Sequence, residues 1–219
     1  MIGGDTMLRA LKSYWAFTNY RYKLIMLVLI PIIFVVVNVN MYRHEIGSGF
    51  DSFLILYWID MASNNHFMNG FYPKGNRALG FMQSSPKFKR TMREVAVVDA
   101  VIRVVFYHIP YITLLMCAKG DAEALEFCNQ IAYVPWVQAL IAQIFLLIGH
   151  EYKAEEGNVL TLFGGHICMM IIVILIGWIG SQAGGNYKPV IAVLMVLMLI
   201  MIIATARHSD KMMEDSYYD

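Results

Sequence analysis

The chain has 219 residues, of which 58% are hydrophobic and only 15% charged, and its formal net charge is +1. A soluble domain carries about 45–50% apolar and about 25% charged residues. This composition therefore excludes a disordered chain, a collagen-like repeat and an ordinary cytosolic enzyme. The small net charge excludes a global basic field for nucleic acid, and three cysteines cannot form a closed disulfide framework. The composition predicts an all-α integral membrane protein.

Six stretches are candidates for membrane-spanning helices, each of which needs about 20 mostly apolar residues. Four of them contain no charged residue, the third contains Asp99 and Arg103, and the second becomes polar at Asp60. A five-span chain that omits the second stretch is the main alternative. The predicted spans are residues 24–39, 53–69, 95–117, 131–149, 159–180 and 189–206.

The distribution of Lys and Arg favours six spans. With six, thirteen of the 17 basic residues fall on one side of the membrane, and omitting the second span would move the basic segment before residue 94 to the other side. Cytoplasmic segments are enriched in Lys and Arg, so both termini are predicted to be cytoplasmic in a bacterial plasma membrane. Residues 1–23 then form a cytoplasmic N-terminus without a cleavable signal peptide, residues 24–206 the membrane domain, and residues 207–219 a cytoplasmic tail.

Residues 7–23 form an amphipathic pattern, with apolar side chains at helical spacing and basic side chains over the remaining surface. A basic amphipathic helix that carries Trp and Tyr typically lies in the membrane interface, in contact with lipid headgroups. The alternative is a basic flank that only fixes the orientation of the first span.

Residues 81–94 predict a short cytoplasmic helix beneath the membrane. Ser85 suits the N-cap and Pro86 the first helical position, where a missing N–H has no cost. Phe88 and Met92 are four residues apart and share one face, while basic residues occupy the others. An ordinary basic loop is the alternative interpretation.

Taken together, this layout resembles the permease subunit of type-2 ABC exporters, and in size the compact permeases of peptide-export and lantibiotic-immunity systems. The matching segments are residues 7–23 and the sequence Ser-Ser-Pro-Lys-Phe-Lys-Arg at 84–90. The resemblance implies a permease that pairs with a second or homologous copy and docks two cytoplasmic ATPase subunits, which would bind ATP and Mg²⁺. The residues that it assigns to ATPase coupling are Ser85, Pro86, Lys87, Phe88, Lys89, Arg90 and Arg93.

Polar residues inside the second and third spans are candidates for a translocation path, because ionisable residues in a span usually face a bundle interior or a water path. The alternative is that Asp60 forms a structural ion pair with Arg103 or His108, and the spacing of Asp99 and Arg103 also allows a pair within one helix. Pro110 predicts a local helix break. The candidate path residues are Tyr57, Asp60, Asn64, Arg103 and His108.

Catalytic motifs are incomplete. His150 and Glu151 begin an HExxH zinc motif, but position 154 is Ala, and the Glu155–Glu156 pair lacks the Arg expected in CAAX-type proteases. No phosphate-binding GxxxxGK[ST] loop occurs, so we expect no catalysis, metal or cofactor in this chain. The resemblance implies an ATP-driven exporter permease, and the mostly aliphatic spans favour an amphipathic peptide or lipid-like substrate. A stand-alone sensor or immunity protein is the alternative, and a membrane protease is disfavoured.

Overall fold

The computed structural model describes residues 4–17, 23–24, 28–43, 56–57, 60, 86–149, 163–182 and 184–215. No strand occurs among these residues, so the described part of the chain is all-helical, as predicted. The principal helices are α1 (Gly4–Phe17), α2 (Ile30–Arg43), α3 (Pro86–Cys117), α4 (Ala122–Ile131), α5 (Val134–Gly149), α6 (Gly165–Gln182) and α7 (Lys188–Asp215).

Three of these helices contain stretches that are long and apolar enough to cross a membrane: Arg90–Cys117 in α3, Gly165–Gln182 in α6 and Lys188–Ser209 in α7. They coincide with three of the predicted spans. Helix α2 has 14 residues and α5 has 16, which at ~1.5 Å per residue is less than the ~30 Å of hydrocarbon. The second predicted span is described only at Leu56, Tyr57 and Asp60.

Helix α3 differs from the expectation of a short cytoplasmic helix followed by a separate span. It begins at Pro86, as predicted, but continues for 32 residues to Cys117. No Gly or Pro lies between positions 87 and 109 to interrupt it, and the expected break at Pro110 is also absent from the helix. A proline removes one backbone hydrogen bond, and membrane helices tolerate that loss where neighbouring groups compensate.

Helix α4 was not predicted, and all its residues but Ile131 lie between the predicted spans 95–117 and 131–149. Its first turn is capped by Asp121, whose Oδ1 accepts hydrogen bonds from the backbone N–H groups of Glu123 and Ala124 at 3.1 Å each. Such caps satisfy donors that have no partner within the helix. Cys128 is buried, and burial raises the pKa of its thiol, so the thiol behaves as a small apolar group.

The bundle is organised around α3, which packs against α1, α2, α4, α5 and α7. Helices α6 and α7 bury one narrow face and leave large apolar side chains such as Ile174 and Leu199 exposed on the other. Between α5 and α7, Gln143 Nε2 donates a hydrogen bond to Thr205 Oγ1 at 2.8 Å. This buried hydrogen bond links α5 to α7.

Candidate functional site

Helix α3 carries a buried polar stripe made of Asp99, Arg103 and Tyr107. The spacing of four residues places the three side chains along one face of the helix. Their exposed fractions are 7%, 3% and 0%. A guanidinium and a carboxylate at this burial require partners, because an unpaired charge in an apolar interior is strongly unfavourable.

Asp60, from the second predicted span, lies against this stripe and is 2% exposed. Its Oδ2 accepts a hydrogen bond from Arg103 Nη1 at 2.7 Å and another from the Tyr107 hydroxyl at 2.7 Å. On the same helix as Arg103, Asp99 Oδ2 accepts from Arg103 Nη2 at 3.2 Å. We call these four residues the Arg103 cluster.

The Arg103 cluster contains both ion pairs that the sequence analysis offered as structural alternatives, Asp60–Arg103 and Asp99–Arg103. Sequence reasoning missed Tyr107. Its position four residues after Arg103 places it one turn farther along the same face, and that spacing is the signal that could have identified it. The geometry joins the second predicted span to the middle of α3.

Tyr57 extends this region towards α6. It is fully buried, and its ring centroid lies 6.2 Å from that of His166. A Cβ added at Gly165 would overlap the Tyr57 hydroxyl, and Phe145 borders the same space. The absence of a side chain at Gly165 therefore makes room for Tyr57. Asp60 thus contacts α3, and Tyr57, three residues before it, contacts α6.

His108 does not join the Arg103 cluster, although the sequence analysis grouped it with Asp60 and Arg103. Its Nδ1 lies 2.7 Å from the backbone oxygen of Val104, and its ring meets Trp136 of α5 edge-on at 4.6 Å between centroids. Nine residues after Asp99, His108 falls on the opposite side of α3, because each residue turns the helix by about 100°. Asn64 lies outside the described residues.

The predicted coupling segment forms the first turns of α3. Phe88 and Met92 are buried, as their shared face predicted, whereas the side chains of Lys87, Arg90 and Arg93 are exposed. Pro86 begins the helix. Ser85 and the side chain of Lys89 lie outside the described part of the structure.

Helix α1 is tied to this end of α3 by a second ionic network. Arg9 Nη2 donates to Glu94 Oε1 at 2.8 Å, and Arg90 Nε donates to the same oxygen at 3.0 Å. Ala10 and Tyr14 are buried on the same helix. Nothing in the local sequence marks Glu94 as a link to α1, since its partner Arg9 is 85 residues away in the chain.

The surface of α1 that does not pack on α3 is largely apolar. The exposed residues Met7, Leu8, Leu11 and Trp15 lie within an arc of about 100°. Lys23 Nζ is 4.9 Å from the centroid of the Trp15 ring, which is a cation–π distance. An apolar arc beside basic side chains is the surface expected of a helix in the membrane interface.

No group of three or more potential metal ligands occurs among the described residues. The incomplete protease motifs at His150 and Glu155 fall outside the described part of the chain. Comparisons of this chain with protein-family models, with characterised proteins and with solved structures give no match.

Proposed function

We propose that this protein is the membrane-embedded permease subunit of an ATP-driven exporter for an amphipathic peptide or lipid-like substrate. The chain would cross the membrane six times with both termini in the cytoplasm, and two copies or homologous chains would bind two ATPase subunits. ATP and Mg²⁺ would be held by those partners. The three membrane-length helices and the concentration of basic residues on one side of the predicted topology support this proposal.

The observation that carries the proposal is the continuity of α3. Its first turns present the exposed basic side chains of Lys87, Arg90 and Arg93, and the same helix carries Arg103 in the buried cluster. From Lys87 to Arg103 the helix rises about 24 Å. A force applied by a cytoplasmic partner at the first turns would therefore reach the interior of the membrane domain without passing through a flexible joint.

The buried apolar side of the same turns supports this interpretation. Phe88 and Met92 are buried at the beginning of α3, and Glu94 links this end of the helix to α1 through Arg9. The exposed basic side chains of these turns would suit an acidic partner surface, since opposite charges favour association and orientation.

The test is to purify the tagged protein from its native membrane and measure Mg²⁺-dependent ATP hydrolysis in the purified material. We expect a protein with a nucleotide-binding motif to copurify with it. A variant with Lys87→Glu, Arg90→Glu and Arg93→Glu should lose about tenfold or more of the associated activity, because like charges then oppose docking.

The matched control is Lys119→Glu, which reverses an exposed charge beyond the other end of α3 and should retain the activity. Both variants must reach the membrane in equal amount. If no ATPase copurifies, or if the triple variant retains full activity, the coupling role is wrong. A labelling experiment with an impermeant thiol reagent in intact cells tests the topology separately. In the proposed topology, Lys87→Cys is protected from the reagent and Lys119→Cys reacts with it.

A further inference from the structure

The Arg103 cluster places one carboxylate on α3, at Asp99, and another across the contact with α3, at Asp60. A simple structural ion pair does not need both. Arg103 donates a hydrogen bond from Nη1 to Asp60 on the second predicted span and another from Nη2 to Asp99 on its own helix. Asp99 stays within reach of Arg103 whenever α3 is intact, since the two are one helical turn apart. Asp60 is within reach only while the two elements are in contact.

We propose that Arg103 is a latch between α3 and the second predicted span, and that Asp99 retains the guanidinium when the latch opens. In the closed state, Asp60 binds both Arg103 and Tyr107. In the open state, water reaches Asp60 while Arg103 keeps Asp99 as its partner.

The physical reason lies in the burial of the charges. Removing one partner from a buried ion pair leaves an uncompensated charge, which is strongly unfavourable. An Arg103 paired with Asp60 alone would therefore resist separation of the two elements. With Asp99 in place, opening does not leave Arg103 unpaired, so the closed and open states can lie close enough in free energy for a ligand or partner to shift them.

The seating of Tyr57 indicates which elements separate. The Tyr57 hydroxyl fits against Gly165 at the beginning of α6, and the ring lies beside His166. In the open state Tyr57 would stay against α6, and the boundary that moves would be the one between Asp60 and α3. The latch works in the same way whether or not an ATPase drives it, so its test is independent of the proposed coupling function.

The test compares Asp60→Asn with Asp99→Asn, two substitutions of identical chemistry on the same arginine. The reporter is Ala100→Cys on α3, placed in a background in which Cys117, Cys128 and Cys168 are replaced by Ala. Ala100 is fully buried and lies two turns before Tyr107 on the same face of α3, so its reaction rate with a small methanethiosulfonate reagent should increase when the boundary with Asp60 opens. The protein is held in lipid nanodiscs without any partner.

Asp60→Asn removes the closed-state partner and should raise the reaction rate at position 100 about tenfold. Asp99→Asn removes the open-state partner and should lower the rate at least about threefold. Tyr107→Phe removes the hydroxyl that donates to Asp60 and should raise the rate by a smaller factor. A cluster that only stabilises the fold would instead raise the rate in both aspartate variants, and that result would overturn the proposal.

The control reporter is Ala139→Cys, which is fully buried in α5, on the side of α3 that carries His108. Its rate should stay unchanged in all three variants. If Asp60→Asn also raises the reaction rate at position 139, the fold itself has opened in that variant. The reaction rates at position 100 in Asp99→Asn and Tyr107→Phe then test the latch. Opposite changes at position 100 then support the latch, and changes in the same direction contradict it.

Discussion

Helix α3 carries two ionic networks of similar design at different depths. Near its first turns, Glu94 is shared by Arg9 and Arg90, whose side chains are 52% and 66% exposed. About two and a half turns farther on, Arg103 is shared by Asp60 and Asp99, and Arg103 and Asp60 are each 2% exposed at their side chains. The depth of a charge in the protein, rather than the number of its ion pairs, therefore determines how much stability is lost when a partner is removed.

The difference follows from solvation. Water screens an exposed pair and solvates either partner when the other is lost, so such pairs contribute only about 0.2–1 kcal/mol. A buried pair gains little net stability, yet breaking it by removing one partner costs about 3–5 kcal/mol. The outer network can therefore lose one partner with little loss of stability, whereas each charge of the inner network must keep a partner.

The largest effect is expected from Arg103→Leu. This substitution leaves Asp60 and Asp99 buried without their shared cation, and it should lower the free energy of unfolding by about 3–5 kcal/mol. Denaturation by SDS in mixed micelles measures the change. A triple variant that adds Asp60→Asn and Asp99→Asn removes the uncompensated charges and should recover a large part of the loss. A decrease below about 1 kcal/mol in Arg103→Leu would contradict the buried network.

A second large effect is expected at the contact between Tyr57 and Gly165 of α6. Gly165→Ala places a methyl group where the Tyr57 hydroxyl lies, and such overpacking should cost about 1–3 kcal/mol. The same SDS titration applies. Tyr57→Phe removes the overlapping oxygen, so the double variant should be more stable than Gly165→Ala alone. If Tyr57→Phe adds to the loss instead, the two residues are not in contact.

An intermediate effect is expected when the buried, uncharged hydrogen bond between Gln143 and Thr205 is removed. In Gln143→Leu, the hydrogen bond to Thr205 is lost, but Thr205 Oγ1 still donates to the backbone oxygen of Met201 at 2.8 Å. The free energy of unfolding should therefore fall by only about 0.6–1.7 kcal/mol, the range for interhelical bonds in membranes. Thr205→Val, added to Gln143→Leu, should lower the free energy of unfolding only by the loss of its own bond within α7, because the bond between the two helices is already absent. A loss as large as that of Arg103→Leu would show that charge is not the deciding property.

The smallest effect is expected from Glu94→Gln, which removes the acceptor charge of the exposed network. The loss should be about 0.2–1 kcal/mol and should decrease further at about 1 M salt, where charges are screened within about 3 Å. The matched comparison is Asp60→Asn, whose effect on stability should depend far less on salt. If Glu94→Gln destabilises the protein as strongly as Arg103→Leu, depth does not separate the two networks.

Much of the fold could be predicted from periodicity and apolar length. The positions of α3, α6 and α7 follow from apolar runs, and the start of α3 at Pro86 follows from the preference of proline for the first helical position. The continuity of α3 could not be predicted in the same way, because a charged beginning and an apolar continuation look like two elements. Helix α4 was missed although its signals are in the sequence, since Asp121 is a recognisable cap and Leu125, Cys128 and Ile131 follow it at helical spacing.

The candidate site was predictable in part. The i, i+4 spacing predicted the Asp99–Arg103 pair, and burial of charge in a span required a partner for Asp60. Which partner Asp60 takes was open, because Arg103 and His108 are five residues apart and the span that carries Asp60 could approach α3 on either side. Tyr107 and the link between Arg9 and Glu94 depend on contacts between elements distant in the chain.

By itself, the sequence determined that this is a helical protein with membrane-length apolar segments, an amphipathic N-terminal helix and a few charges that cannot remain unpaired in an apolar interior. These properties follow from the composition and spacing of each segment. Only the tertiary structure decided that Arg103 binds carboxylates on both sides of one interface, that Tyr57 fits against Gly165, and that His108 faces α5. The reason is that helix packing selects one azimuth and one depth for each helix, and local sequence specifies neither.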